Sequence, residues 1–268
     1  MNKTIGFIGG GNMAQAIIRG LLAAGHSAER IAVADPSDGL NEKLEALSPD
    51  IFVSTSNTEV AARSDVIVLA TKPQYIAGVA SEIAPTKPEL VISIAAGITL
   101  DTINDALGEG IAVVRYMPNT PSVVGLGMTG LIGNAVADDA AKAIADYIAG
   151  AIGAVVWLDD EAMMDAITAV SGSGPAYIFL VMEMLAEGAK AFGFNEDVAR
   201  LLAVQTTLGA ATLAANDDVD LAELRKRVTS PGGTTEAAIN SMEDGNIRDL
   251  FQQALEAARD RSIELGKK

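Results

Sequence analysis

The chain has 268 residues, and its 19 basic and 35 acidic side chains give a formal net charge of −16. It contains no cysteine and a single histidine, His26, which excludes a disulfide framework, thiolate catalysis, Cys-ligated metal and any histidine cluster. The acidic balance argues against a nucleic-acid partner, because neutralising phosphates needs clustered Lys and Arg. At roughly 100–200 residues per domain, one large or two small domains are expected. No uninterrupted apolar run approaches the ~20 residues of a membrane span. Met1-Asn2-Lys3-Thr4 leads into Ile5-Gly6-Phe7-Ile8 without the longer apolar stretch of a signal peptide. A cytoplasmic chain with no membrane partner is expected.

Apolar spacing predicts strands at Thr4–Ile8, Ile31–Asp35, Ile51–Ser54, Asp65–Thr71, Leu90–Ala95, Ile111–Met117, Met128–Ile132 and Ala154–Leu158. Between them it predicts helices at Met13–Ala24, Gly39–Leu47, Thr58–Ser64, Ile76–Ile83, Leu100–Leu107 and Asp138–Ile152. Several of these strands are apolar on both faces, the pattern of a parallel sheet covered by helices on each side. Strand–helix alternation of this kind argues for a doubly wound α/β domain.

From Asp159 the strand-like runs disappear. Pro175–Phe192 reads as one helix with proline in its first turn, apolar almost all round and therefore in need of burial on every side. Asn195 caps a helix reaching about Ala215, with Glu196 and Asp197 in its first turn. Asp220 starts a short helix to about Val228, and Thr235–Glu243 and Ile247–Leu265 follow, broken at Gly245. These few helices cannot cover Pro175–Phe192, so a second subunit is expected to supply the missing surface.

Gly9-Gly10-Gly11-Asn12-Met13-Ala14 follows the first strand and opens the first helix, matching G-x-G-x-x-[GA] in its strand–turn–helix context. Gly9 permits the tight turn, Gly11 lets backbone approach a pyrophosphate, and Ala14 keeps helix against strand. Asp35 ends the second strand. A carboxylate there accepts hydrogen bonds from adenosine ribose hydroxyls and favours NAD; equally, Asp35-Pro36-Ser37-Asp38 reads as a simple turn. Ser37 leaves NADP open. Ala70-Thr71-Lys72-Pro73 and Ile94-Ala95-Ala96-Gly97 end two further strands on the ligand side of such a sheet. Lys72 reads as a phosphate or carboxylate contact or as a solvated loop lysine. Met117-Pro118-Asn119-Thr120-Pro121 reads as a stiff loop. His26 follows Gly25 at the end of the first helix, where a cation complements the dipole.

Ser171-Gly172-Ser173-Gly174-Pro175-Ala176-Tyr177 and Ser230-Pro231-Gly232-Gly233-Thr234-Thr235-Glu236 each precede a predicted helix. Each is expected to present free N–H groups to a phosphate or carboxylate, with plain Ser/Thr capping as the alternative. Together with the glycine loop they point to a small anionic substrate beneath a nicotinamide.

The stretches Ile5–Met13, Lys72-Pro73, Ser93–Gly97, Met117–Pro121, Ser171–Tyr177 and Ser230–Thr235 resemble those of the pyrroline-5-carboxylate reductase family, and the likeness covers essentially the whole chain. It implies an α/β Rossmann-type dinucleotide-binding domain over residues 1–158 and an all-α dimerisation and substrate domain over 159–268. It implies reduction of 1-pyrroline-5-carboxylate to L-proline with NADPH or NADH, the last step of proline biosynthesis. Homodimers that assemble further into rings of five are implied as well. The resemblance puts the cofactor on Phe7, Ile8, Gly9, Gly10, Gly11, Asn12 and Met13. It continues on Asp35, Ser37, Asn57, Ala70, Thr71, Lys72, Pro73, Ala95, Ala96 and Gly97. Substrate contacts fall on Glu161, Val228, Ser230, Thr234 and Thr235, with Thr235 beside the ring nitrogen as the catalytic residue. Asp35 departs from the small hydroxyl residue of other members, so the choice between NADH and NADPH stays open.

A β-hydroxyacid dehydrogenase shares the two-domain plan but needs a lysine four residues after Gly174, where this chain has Ile178. A broader imine reductase is argued against by Ser230–Thr235, and a dinucleotide-sensing protein without turnover stays possible from sequence alone.

Overall fold

In the computed structural model, which describes residues 1–37 and 39–266, the eight apolar runs join one sheet. Its strands are β1 (Ile5–Ile8), β2 (Ile31–Ala34), β3 (Phe52–Ser54), β4 (Val66–Leu69), β5 (Leu90–Ser93), β6 (Ala112–Met117), β7 (Gly127–Gly133) and β8 (Gly153–Trp157). The order is β3-β2-β1-β4-β5-β6-β7-β8. Strands β1 to β6 are mutually parallel, so the order reverses between β1 and β4, as the doubly wound reading requires. Asp38, part of the expected turn after β2, lies outside the described residues.

The sheet is not parallel throughout, as the sequence reading expected. β7 runs antiparallel to β6, with Met117 opposite Gly130, and β8 is parallel to β7. The cause is the length of the β6–β7 link. Residues 118–126 hold a 3₁₀ turn at Thr120–Val124 and Gly125 at φ 72°, too little chain for the dozen or so residues of a parallel crossover.

Alternation along the strands builds two cores. Ile5 and Phe7 of β1, with Val66 and Val68 of β4, face α1 (Asn12–Ala23) and, farther along the sheet, α6 (Asp139–Gly150). Ile8, Ile67 and Leu69 face the other way, among α3 (Asn57–Ala62), α4 (Ile76–Ile83) and α5 (Leu100–Leu107). A short α2 (Leu40–Glu45) precedes β3. Ser56, Thr99 and Asp138 cap α3, α5 and α6 through their side chains.

After β8 come α7 (Met163–Ile167), α8 (Gly174–Ala191), α9 (Glu196–Ala215), α10 (Leu221–Arg227), α11 (Thr234–Asp244) and α12 (Ile247–Gly266). Asn195 and Asp220 cap α9 and α10 as expected. By packing, residues 1–173 with the end of α12 from Ala258 form one compact unit, and residues 174–257 form a second. In the second, Ala199 and Ala203 are buried because their small side chains let α9 approach α8 closely. Apart from α9 and an edge-on contact of Tyr177 with Phe251 of α12, the face of α8 is largely bare. None of its residues is buried within the chain, and Phe179 and Leu180 are 61% and 55% exposed. Met163–Ala191 and Glu196–Ala215 are long and apolar enough, by length and composition, to cross a membrane, although charged residues interrupt both.

His26 is not the helix-end cation its position suggested. It is 4% exposed, its Nδ1 lies 3.4 Å from the Tyr147 hydroxyl, and its Nε2 has no partner among the described residues. Burial lowers its pKa, reinforced by the charges of the N-terminus and Arg30 and opposed by a backbone hydrogen bond at Arg30. The folded protein therefore resists a proton that the unfolded chain accepts near pH 6.5. Stability is full above that pH and declines as pH falls toward the folded-state pKa. The expected outcome is a Tm that drops between pH 7 and 5.5 in the wild type and drops less in His26→Gln. The one imidazole NMR signal should titrate with a midpoint below 6.5.

Candidate functional site

The carboxyl ends of β1, β2, β4 and β5 carry the residues singled out for a dinucleotide. Gly9 leaves β1 at φ 99°, and a Cβ there would lie 2.7 Å from the backbone of Ala70. Only glycine satisfies both conditions. A Cβ on Gly11, by contrast, would meet nothing within 4 Å, so the space beside it is open to a ligand. Gly11 caps α1 without a side chain, which leaves the N–H groups of Asn12, Met13 and Ala14 without protein partners among the described residues. A helix start with open approach is an anion site.

The loop is held from below. Buried Gln15 donates to the Gly10 carbonyl at 2.9 Å, and Asp35 Oδ2 accepts from the Gly10 N–H at 2.8 Å. Asp35 Oδ1 accepts from the Ser37 N–H at 2.8 Å, the geometry of the turn. Partial burial opposes the charge of Asp35, but the bonds from Gly10 and Ser37 outweigh it and hold the carboxyl below its ordinary value. Of the two readings of Asp35, the turn is present in the bond from Ser37, and the same carboxylate also holds the glycine loop at Gly10. Phe7 and Ile8 are core residues of β1. The Asn57 amide is turned to Glu82 Oε2 at 2.8 Å. After β4, among the described residues, the Thr71 hydroxyl is buried without a partner and exposed Lys72 has no ion pair; Pro73 opens a 3₁₀ turn. After β5, Ala95 is buried, Ala96 exposed, and Gly97 sits at φ 76°. The open side of Gly11 and the orphaned Thr71 hydroxyl fit a dinucleotide at this edge.

Beside Gly97 lies a cavity of about 310 Å³, also bordered by Thr99, Arg115, Glu161, Asp165 and Ile263. Arg115, buried on β6, forms an ion pair with Glu161, and Glu161 Oε1 also accepts from the Leu100 N–H at 2.7 Å. The family resemblance named Glu161, as a substrate contact, and the reading of the residues passed over Arg115. The signal was a lone cation inside an otherwise apolar strand.

The remaining candidates lie in the second unit. Val228 follows α10 and is exposed, as is Ser230. Gly232 (φ 70°) and Gly233 turn the chain into α11, with Gly233 rather than a hydroxyl residue as N-cap. The loop N–H groups are not all free, as had been expected. That of Gly232 donates to Glu236 Oε2 at 2.7 Å and that of Gly233 to the Ser230 carbonyl at 3.0 Å. The N–H groups of Thr234, Thr235 and Glu236, at the helix start, have no partner among the described residues. This segment therefore keeps a donor cluster beside the half-buried Thr235.

The other small-residue motif does not. Ser171–Tyr177 does lead into α8 at Gly174, as expected, but helical structure already precedes it. A π-helical turn spans Thr168–Gly172, and the Ser173 N–H donates to the Thr168 carbonyl at 2.8 Å. Pro175 has no N–H to give the Ser171 carbonyl; the Asn119 amide donates to it instead at 3.0 Å, while Asn119 Oδ1 accepts from the Met128 N–H at 2.9 Å. Asn119 is a structural tie, and the expected anion site at Ser171–Tyr177 is withdrawn.

Comparison with known proteins agrees with this geometry. Residues 161–265 match the family model described as pyrroline-5-carboxylate reductase dimerisation. Residues 4–97 match one described as NADP oxidoreductase, coenzyme F420-dependent. The chain is 46% identical over 265 residues to the pyrroline-5-carboxylate reductase of Pseudomonas aeruginosa, covering 98% of this chain and 97% of that protein. It is 43% identical to that of Methanosarcina acetivorans over 100% of this chain and 99% of that one. A solved pyrroline-5-carboxylate reductase from Coxiella burnetii superimposes with a TM-score of 0.92 at 44% identity, covering 99% of both chains. The Plasmodium falciparum pyrroline carboxylate reductase, solved with NADP bound, gives 0.86 at 29% identity over 99% of this chain and 98% of that one. With identity of this level over nearly its full length, the chain belongs to the pyrroline-5-carboxylate reductase family.

Proposed function

We propose that this protein reduces 1-pyrroline-5-carboxylate to L-proline with NADH or NADPH, the last step of proline biosynthesis, in the cytoplasm. The observation that carries the reading is the glycine loop: a helix start with open approach at Gly11, on the edge of a chain whose relatives bear this enzyme's name over their full length. Residues 1–158 are the dinucleotide-binding domain and residues 159–268 the dimerisation and substrate domain, in keeping with the spans of the two family models. Bound NAD(P)H supplies the hydride for the imine carbon.

The chain's own groups bind and orient. The N–H groups of Asn12 and Met13 take the pyrophosphate, with the end of β1 at Phe7 and Ile8 and the turn from Gly9 to Gly11 presenting them. Asp35 and Ser37 lie toward the adenosine ribose. Asn57, Ala70 to Pro73 and Ala95 to Gly97 complete the cofactor surface. The N–H groups at Thr234 and Thr235 suit the substrate carboxylate, and Val228, Ser230 and Glu161 are assigned to the substrate as well. The Thr235 hydroxyl orients the ring nitrogen. A cyclic imine takes its proton from water before reduction, so no strong general acid is required, and orientation by a hydroxyl suffices.

The bare apolar face of α8 and α9 is read as a dimer interface of the obligate kind, which resembles a core cut in half. Glu183, Glu187 and Lys190 on α8 and Arg200 on α9 suit that better than a lipid interior. Five such dimers closing into a ring is the further assembly the family likeness carries.

Three outcomes test the reading. First, NAD(P)H oxidation on adding 1-pyrroline-5-carboxylate should be lost by roughly 10- to 100-fold in kcat/KM in Thr235→Val, the cost of leaving the reacting nitrogen unpaired. Dinucleotide Kd and Tm should hold; a fall in Tm with unchanged kcat/KM would return the residue to a structural role. Second, Asp35→Ser should shift the NADH-to-NADPH ratio of kcat/KM toward NADPH by removing a charge that repels a 2′-phosphate. An unchanged ratio would take Asp35 away from the ribose. Third, sedimentation at micromolar concentration should find a dimer or a multiple of it, and an active folded monomer would refute the interface.

A further inference from the structure

Arg115 is the feature of the first unit that the functions proposed above leave without a role. Its side chain is 9% exposed, on a strand whose neighbours Val113, Val114 and Tyr116 are buried. A guanidinium in such a place is costly unless paired. Glu161 provides the pair, and the same carboxylate oxygen that meets Arg115 also accepts the N–H of Leu100. Leu100 is the first residue of α5, so this N–H would otherwise be an orphan of the helix start. Only Ile98 and Thr99 separate it from Gly97. The contacts run from β6, through a carboxylate, to the turn after β5.

We infer that Arg115 is a positioning residue for dinucleotide binding: it holds Glu161 in place, and Glu161 fixes the turn that presents Ala95, Ala96 and Gly97. The inference rests on the reading of that turn as cofactor surface. Two observations favour it over a purely structural pair. An apolar pair of the same volume would avoid desolvating two charges, yet would leave the Leu100 N–H unbound. The pair also borders the open cavity beside Gly97 rather than filling a closed core. Gly97, at φ 76°, has no side chain with which to anchor the turn itself.

The test uses the full-length enzyme with Arg115→Met, Arg115→Lys, Glu161→Gln and the double variant Arg115→Met/Glu161→Gln. Tm, calorimetric Kd for NADH and NADPH, and hydrogen exchange over residues 95–100 without ligand are measured for each. Arg115→Met should weaken dinucleotide binding roughly tenfold, the scale expected for a residue that couples to a ligand without touching it. It should also speed exchange at the turn, and Arg115→Lys should do both to a lesser degree. The double variant removes the unpaired charge and should recover Tm while Kd and exchange remain impaired. Recovery of all three would make the pair structural only and overturn the inference. So would an Arg115→Met that loses Tm but keeps wild-type Kd. If the single variants do not fold, the double variant still decides between these outcomes. Absence of dinucleotide binding in the wild type would instead refute the cofactor reading and the inference with it. KM for 1-pyrroline-5-carboxylate reports separately on Glu161 as a substrate contact.

Discussion

The chain leaves β1 through Gly9 in a left-handed turn so close to Ala70 that no side chain fits between them. The first half of the molecule depends on that crossing. Because β1 and β4 are adjacent and parallel, the chain after β1 and the chain after β4 must part at the same edge, in opposite directions. A residue with a Cβ would push them apart and move the start of α1 away from the sheet. With glycine there, the first turn of α1 faces the gap where the strand order reverses. The ties from Gln15 and Asp35 then hold the neighbouring peptide of Gly10 from both its carbonyl and its N–H. The site is a property of backbone packing first and of side-chain chemistry second.

The helical half has the opposite character. Its apolar surface exceeds what the helices of one chain cover, and the dominant contact within it joins α8 to α9 through alanines. Such a segment gains stability from association rather than from its own interior. This explains how one segment is long and apolar enough for a membrane helix and also matches a dimerisation family. Both environments remove apolar surface from water, and the charges scattered along α8 and α9 favour the protein partner.

Much of this was legible in the sequence because periodicity encodes which face is buried. The eight strands, the caps at Asn195 and Asp220 and the glycine loop all follow from patterns within a few residues. The direction of β7 did not, because alternation is the same for a strand run either way; only the shortness of residues 118–126 carried that information. The start of α8 at Gly174-Pro175 was readable, since proline is common in a first turn. The π-helical turn at Thr168–Gly172 that precedes it was not. The Gly232–Glu236 bond had a readable signal, a glutamate three residues after the helix cap. The Arg115–Glu161 pair had none beyond a charge in an apolar strand, because its partners are 46 residues apart.

Asn119 shows what such long-range ties demand of chemistry. One carboxamide gives a proton to the Ser171 carbonyl and takes one from the Met128 N–H. Its carboxylate isostere offers only acceptors. An aspartate in its place would keep the outline of the side chain and set two oxygens against each other where a hydrogen bond now joins them. The fit of the loop around Asn119 thus rests on the one nitrogen of an amide and not on the shape that carries it.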